Sequence, residues 1–276
     1  MPAEPPPAPA LVTAVDGPAL VLRMCNPARA NAVDDGILDA ITAAVQAPPP
    51  GVRCVLLGGD GDRHFSAGLD LGDVEGDALA ARLRDGERRL GVATAAIAAC
   101  PVPVVAVIGG AAFGGALELA IACDWRLAAD TAKLAMPAAR LGVVYAPEGL
   151  RRFVACLGPA RARELFLTGR PADAARALEI GLVDRVVPHA ELWEAAMQAA
   201  ADIALAGPTA VAGTRAAIDA LAGPLDPAAR DAVDGLRERA YASPEFAEGL
   251  AAFRGKRPPD WSGFTASGGP AGPPEG

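Results

Sequence analysis

Histidine is nearly missing from this 276-residue chain: only His64 and His189 occur, and neither falls in metal-ligand spacing with a cysteine or another histidine. His64 lies in a charged loop and His189 at a helix start after Pro188, so a hydrolytic zinc centre is not expected. Cysteine pairs are missing too. Cys25, Cys54, Cys100, Cys123 and Cys156 lie far apart with no C-x-x-C, and an odd number without a secretory leader predicts reduced, mostly buried thiols and a cytoplasmic setting. The N-terminal "MPAEPPPAPA" lacks the basic and apolar regions of a signal peptide. No apolar run is long enough to cross a membrane. There is no P-loop and no G-x-S-x-G elbow. Basic excess is lacking as well: 25 Lys and Arg stand against 33 Asp and Glu, a net charge of -8. That excludes sequence-independent nucleic-acid binding and leaves an anionic ligand to local Arg, Lys or helix N-termini.

What the chain has in quantity is apolar side chain, 52% against 21% charged, the balance of a soluble globular protein. Its length suits one large domain, or a core with an appendage. The first ten residues and the last dozen are Pro/Gly/Ala-rich and read as disordered tails. "ALVTAVDGPALVLRMCNP" reads as two strands about the Asp16-Gly17 turn. Helical spacing runs from Asp34 to Gln46 and stops at Pro48 to Pro50. "VRCVLLGG" is a buried strand, followed by the loop "DGDRHFSAGLDLGDV" and a helix from about Gly76 to Ala99. "PVPVVAVIGG" and "WRLAA" are further strands on either side of a helix ending near Cys123. Alternation of this kind predicts an α/β sheet with crossovers. After Pro147 helical patterns dominate: Glu148 to Cys156, Pro159 to Leu167, Asp173 to Ile180, His189 to Ala206, and a last block beyond the Gly207-Pro208 break.

The stretch "IGGAAFGGALELAIACD" joins a strand to a helix through four glycines. They do not fit G-x-G-x-x-G, so a dinucleotide loop is a weak reading. Gly114 and Gly115 leave first-turn N–H groups uncrowded, where the helix dipole favours developing negative charge. Glu118 lies one turn on, either sharing that neighbourhood or acting as a capping carboxylate. "RHFSAGLDL" likewise exposes small residues after a strand. Two such loops could supply two N–H donors to one oxyanion; a tight turn explains the second loop equally well.

These residues carry a resemblance. "FSAGLDL" with "GGAAFGGALELAIACD", then "LTGRPADAARALEIGLVDRVVP" and "SPEFAEGLAAFRGKRPPDW", resemble the enoyl-CoA hydratase/isomerase (crotonase) superfamily in order and spacing, from Leu11 to Trp261. The resemblance implies an α/β spiral of repeated ββα units over residues 11–206. It also implies a helical oligomerisation region over 207–262 with homotrimers or dimers of trimers, and tails at 1–10 and 263–276. The implied substrate is a coenzyme A thioester handled without metal or other cofactor, with no nucleic-acid or membrane partner. Carried over, the oxyanion donors are the N–H groups of Leu69 and Gly115. Coenzyme A contacts fall on Arg29, Ala30, Ala67, Asp70 and Leu71. Phe253 and Lys256 would meet the adenine and phosphate end, the latter being a solvated basic tail on residue type alone.

One departure matters for chemistry. Hydratases of the family add water with two glutamates, of which Glu118 matches the first. The second follows the proline of a Q-P-E segment, and "KLAMPAARLG" places Ala138 there. One acid/base group does not readily both activate water and deliver a proton. In "GVVYAPEGLRR", Glu148 is either a replacement carboxylate or a first-turn acid after Pro147 paired with Arg151 or Arg152. Tyr145 is a better donor than base. Double-bond isomerisation is therefore expected ahead of efficient hydration. The alternatives are decarboxylation of a methylmalonyl-type thioester using Tyr145 and non-catalytic acyl-CoA binding.

Overall fold

The computed structural model describes residues 8–72, 74, 76–222 and 227–264. Most of both expected tails therefore falls outside the described residues. Ala10, assigned above to the first tail, already pairs with Cys25. Strand β1 (Ala10–Asp16) turns at Gly17 into β2 (Ala19–Cys25), the hairpin that Asp16-Gly17 signals. Helix α1 (Asp35–Gln46) begins where the Asp34 side chain accepts the Ile37 N–H at 2.8 Å.

The spiral unit then repeats. Strands β3 (Cys54–Gly59) and β4 (His64–Ser66) lead to α2 (Gly76–Ala98). Strands β5 (Val104–Ile108) and β6 (Ala111–Phe113) lead to α3 (Gly115–Ala122). Strands β7 (Trp125–Ala129) and β8 (Lys133–Ala135) lead through a 3-10 turn, Ala138–Leu141, to α4 (Pro147–Thr168). The first strand of each unit joins a six-stranded sheet, β1-β2-β3-β5-β7-β10, parallel except at the hairpin. The second joins a four-stranded sheet, β4-β6-β8-β9. All residues of β3 and β5 are buried, as continuous apolar runs in the middle of a parallel sheet should be.

The chain continues through β9 (Ala172–Asp173), α5 (Ala174–Glu179), β10 (Arg185–Val187) and α6 (Leu192–Ala204). Gly207-Pro208 starts α7 (Pro208–Leu221), and α8 (Pro227–Ala242) and α9 (Pro244–Gly255) follow. Arg215 fastens α7 to the spiral through Asp124 and the carbonyls of Ile97, Ala98 and Cys100. The two helices read as Glu148 to Cys156 and Pro159 to Leu167 are the halves of α4, broken at Gly158 (φ 73°, ψ 162°). Among the described residues no helix is long and apolar enough to cross a membrane. All five thiols are free, and burial pushes that of Cys54 up to about 12.

Candidate active site

Two loops meet where each unit passes from sheet to helix. In the first, Ser66 Oγ accepts the Gly68 N–H at 3.1 Å, Ala67 N–H donates to Ala30 O at 3.0 Å, and Asp70 N–H donates to Val33 O at 2.8 Å. Between these anchors the Leu69 N–H has no acceptor among the described residues. In the second, Gly114 N–H donates to Ala135 O at 3.0 Å, while the Gly115 N–H is likewise without an acceptor among the described residues. Gly68 allows the loops to touch. At φ +100° it takes a conformation side chains rarely adopt, and a Cβ there would lie 2.6 Å from Phe113 O and 3.3 Å from Gly115 N. Among the described residues, these two adjoining loops thus leave the Leu69 and Gly115 N–H groups without acceptors, and Gly115 opens a helix.

Helix α3 is buried along its whole length, and Glu118 is buried with it at 4% exposure. A carboxylate so placed needs partners. Tyr145 OH donates to Oε2 at 2.7 Å, and Arg152 Nη1 donates to Oε1 at 3.1 Å. Burial raises the Glu118 carboxyl above its ordinary range, while the Tyr145 hydrogen bond and the Arg152 charge oppose the rise. Burial, then the Glu118 charge, holds the Tyr145 phenol well above its usual range, so it stays a proton donor to the carboxylate. Edge-on packing against Phe166 and Phe153, with centroids 5.4 and 6.5 Å away, fixes the tyrosine ring. Gly149 lets α4 approach: a Cβ there would sit 2.5 Å from Tyr145 Cε1 and 2.9 Å from Glu118 Oε2.

A cavity of about 480 Å³ opens beside this pair. Glu118, Tyr145, Ala146, Glu148 and Gly149 line one side, and Arg84, Glu87, Arg88, Gly91, Val92 and Ala95 of α2 the other. Glu148 is exposed and has no ion-pair partner among the described residues, because Arg152, one of its two expected partners, reaches Glu118 instead. Ala138 is buried and offers only a methyl group. Neither the Arg152 contact nor the α2 wall was read from the sequence. Residues 84, 87, 88, 91, 92 and 95 do recur at helical spacing, but no residue among them signals a cavity.

Four of the residues assigned to coenzyme A converge. Arg29 Nη1 lies 3.5 Å from Asp70 Oδ1, and Ala30 and Ala67 share the backbone bond described above. Leu71 follows Asp70 and is partly buried. Phe253 and Lys256 are not brought to these loops. Phe253, 83% exposed, lines a separate cavity with Tyr241, Phe246 and Trp261, and Lys256 ends α9 at φ 49°. Neither histidine lines the Glu118 cavity: the His64 carbonyl accepts Asn31 Nδ2 at 3.0 Å, and His189 Nδ1 lies 3.3 Å from Thr131 Oγ1. Among the described residues no cluster of three His, Cys, Asp or Glu could hold a metal ion.

Comparison with known proteins agrees with this architecture. Residues 17–264 match the model of the family described as enoyl-CoA hydratase/isomerase. The chain is 34% identical to a carnitinyl-CoA dehydratase of Salmonella typhi over 256 residues, covering 90% of this chain and 96% of that protein. An enoyl-CoA hydratase from Bacillus anthracis superposes with a TM-score of 0.85 at 29% identity, covering 92% of this chain and 99% of the other. One from Polaromonas sp. JS666 superposes with 0.80 at 28% identity, covering 91% and 98%. With a ββα spiral, two facing loops and a buried helix glutamate, the chain belongs to the enoyl-CoA hydratase/isomerase family and is an enzyme of its lyase or isomerase type.

Proposed function

We propose that the protein moves a β,γ double bond of an acyl-CoA thioester into the α,β position through an enolate held at Leu69 and Gly115. The thioester oxygen takes the two unpaired N–H groups, whose hydrogen bonds strengthen as the oxygen gains charge. Glu118 removes the α-proton. Tyr145 and Arg152 hold the carboxylate by both oxygens, and the α-carbon lies next to the oxygen that the N–H groups bind. Arg29, Ala30, Ala67, Asp70 and Leu71 border the entry for the coenzyme A portion. Phe253 and Lys256 fit the adenine end when a neighbouring subunit of a trimer presents them.

The observation that supports this reading is the conjunction of one buried, doubly held carboxylate with two N–H groups lacking acceptors among the described residues, Gly115 one turn before it and Leu69 on the adjoining loop. Isomerisation is favoured over hydration because the position of the second hydratase glutamate is a buried alanine. Decarboxylation fits less well, since a substrate carboxylate at Tyr145 would stand beside the charge of Glu118. The test is a side-by-side assay of 3-enoyl-CoA isomerisation and 2-enoyl-CoA hydration. Faster isomerisation is expected; rapid hydration that Glu118→Gln abolishes would reverse the ranking.

A further inference from the structure

The geometry points to Glu87 on α2 as a second catalytic carboxyl of the site, the one that delivers the proton to the γ-carbon; this rests on the isomerase reading. Glu87 belongs to the α2 stripe that forms one wall of the cavity opposite Glu118 and Tyr145. The adjoining stripe is packed on the two donor loops. A Cβ on Gly86 would lie 3.3 Å from Leu69 Cδ1, and Leu90 Cδ2 lies 3.0 Å from the Cβ position of Gly115. Glu87 directly follows Gly86, so backbone seated on the oxyanion loops carries its carboxyl to the cavity wall. Glu87 lies close enough that its carboxylate, when ionised, would raise the Glu118 carboxyl and the Tyr145 phenol slightly. Unlike Glu118, the partly buried Glu87 has no hydrogen-bond or ion-pair partner among the described residues, so it is free to trade a proton. Burial raises its carboxyl, which favours the protonated form that a donor requires.

The chemistry explains why a second group is needed. The shift removes a proton at the α-carbon and adds one two carbons away, while Tyr145 and Arg152 fix Glu118 in place. The α C–H bond breaks and its proton goes to Glu118. The electron pair passes into the thioester, forming a dienolate whose oxygen rests on the Leu69 and Gly115 N–H groups. The pair then returns: the γ-carbon bonds to the Glu87 proton, the Glu87 O–H bond breaks, and the double bond lies between the α- and β-carbons. Glu118 is left protonated and Glu87 ionised, and water entering after product release takes the one proton and restores the other.

Isomerisation of a 3-enoyl-CoA in D2O, with the product read by NMR, tests this in the wild type, Glu87→Gln and Glu87→Asp. The wild type is expected to place solvent deuterium at the γ-carbon, because Glu87 exchanges with water. Glu87→Gln should lower kcat about 10²-fold with little change in KM, and its residual product should carry hydrogen moved from the α-carbon. Glu87→Asp, which keeps a carboxyl, should recover part of the rate and of the label. Wild-type product without γ-deuterium, or Glu87→Gln with wild-type rate and label, overturns the role of Glu87 and leaves the isomerase reading standing. No isomerisation by the wild type overturns both.

Discussion

Glu118 and Glu148 occupy the same kind of place and end in opposite states. Each stands in the first turn of a helix, and both line one cavity. Glu118 is 4% exposed and held by two donors; Glu148 is exposed and lacks a partner among the described residues. The helix dipole favours a carboxylate at both positions, so its presence alone does not make the difference. The packing in front of each does. Helix α4 closes on Glu118 at Gly149 and brings Tyr145 and Arg152 with it, whereas Glu148 stays exposed on the cavity lining.

The comparison is broken most severely by neutralising the buried member. Glu118→Gln keeps the shape and an acceptor for the Tyr145 hydroxyl but cannot take a proton. Turnover should fall about 10³-fold while acyl-CoA affinity by calorimetry holds, since general-base catalysis is lost and the cavity is not. A smaller loss should follow from Gly149→Ala. Its methyl would lie 2.5 Å from Tyr145 Cε1 and 2.9 Å from Glu118 Oε2, so the tyrosine must move off the carboxylate. Turnover should drop about tenfold or more, and thermal unfolding should report about 1–3 kcal/mol of overpacking.

How much of this was legible follows from segment length and sequence separation. The β1–β2 hairpin, α1, β3, β5 and α3 were readable because each carries a turn signal, a cap or an apolar run. The second sheet was not. His64–Ser66, Ala111–Phe113 and Lys133–Ala135 are three-residue strands, too short for a period, and exist because neighbours pair with them. In the candidate site, the glycines and the one-turn spacing left Glu118 and the two loops as open readings, and the family resemblance supplied their expected roles. Arg152 was not legible. Its i,i+4 spacing from Glu148 is the spacing of a local ion pair, yet it crosses to a residue 34 positions away. Only the tertiary approach of α4 to α3 decides between those partners.

That choice of partner predicts a pH effect. On the proposed mechanism Glu118 acts ionised, so activity is expected to fall on the acid side through its pKa. Burial raises that pKa and the Arg152 charge lowers it. Arg152→Ala removes the lowering influence, so the acid limb of kcat/KM should move to higher pH, with the deficit shrinking as pH rises. Stability follows the same sign. A carboxyl raised on folding contributes fully below its unfolded pKa and loses that contribution as pH rises through the folded value. In the variant the loss should extend to higher pH, read from Tm against pH. An acid limb unmoved in Arg152→Ala would mean that the guanidinium does not act on the base.

Glu148→Gln is the mildest test and bears most directly on the comparison. The side chain is exposed and makes no ion pair with a described residue, and substitutions of that kind cost within about 0.5 kcal/mol. Screening by water also weakens its field at Glu118, compared with that of a partly buried carboxylate. The variant should therefore keep kcat within about twofold, with an unmoved pH profile and unchanged γ-label from D2O. A large loss of rate would put the proton donor at the mouth of the cavity on α4 rather than on α2. Position in a first helical turn would then suffice to recruit a carboxyl to this chemistry, and burial with two donors would be what distinguishes the base from the acid.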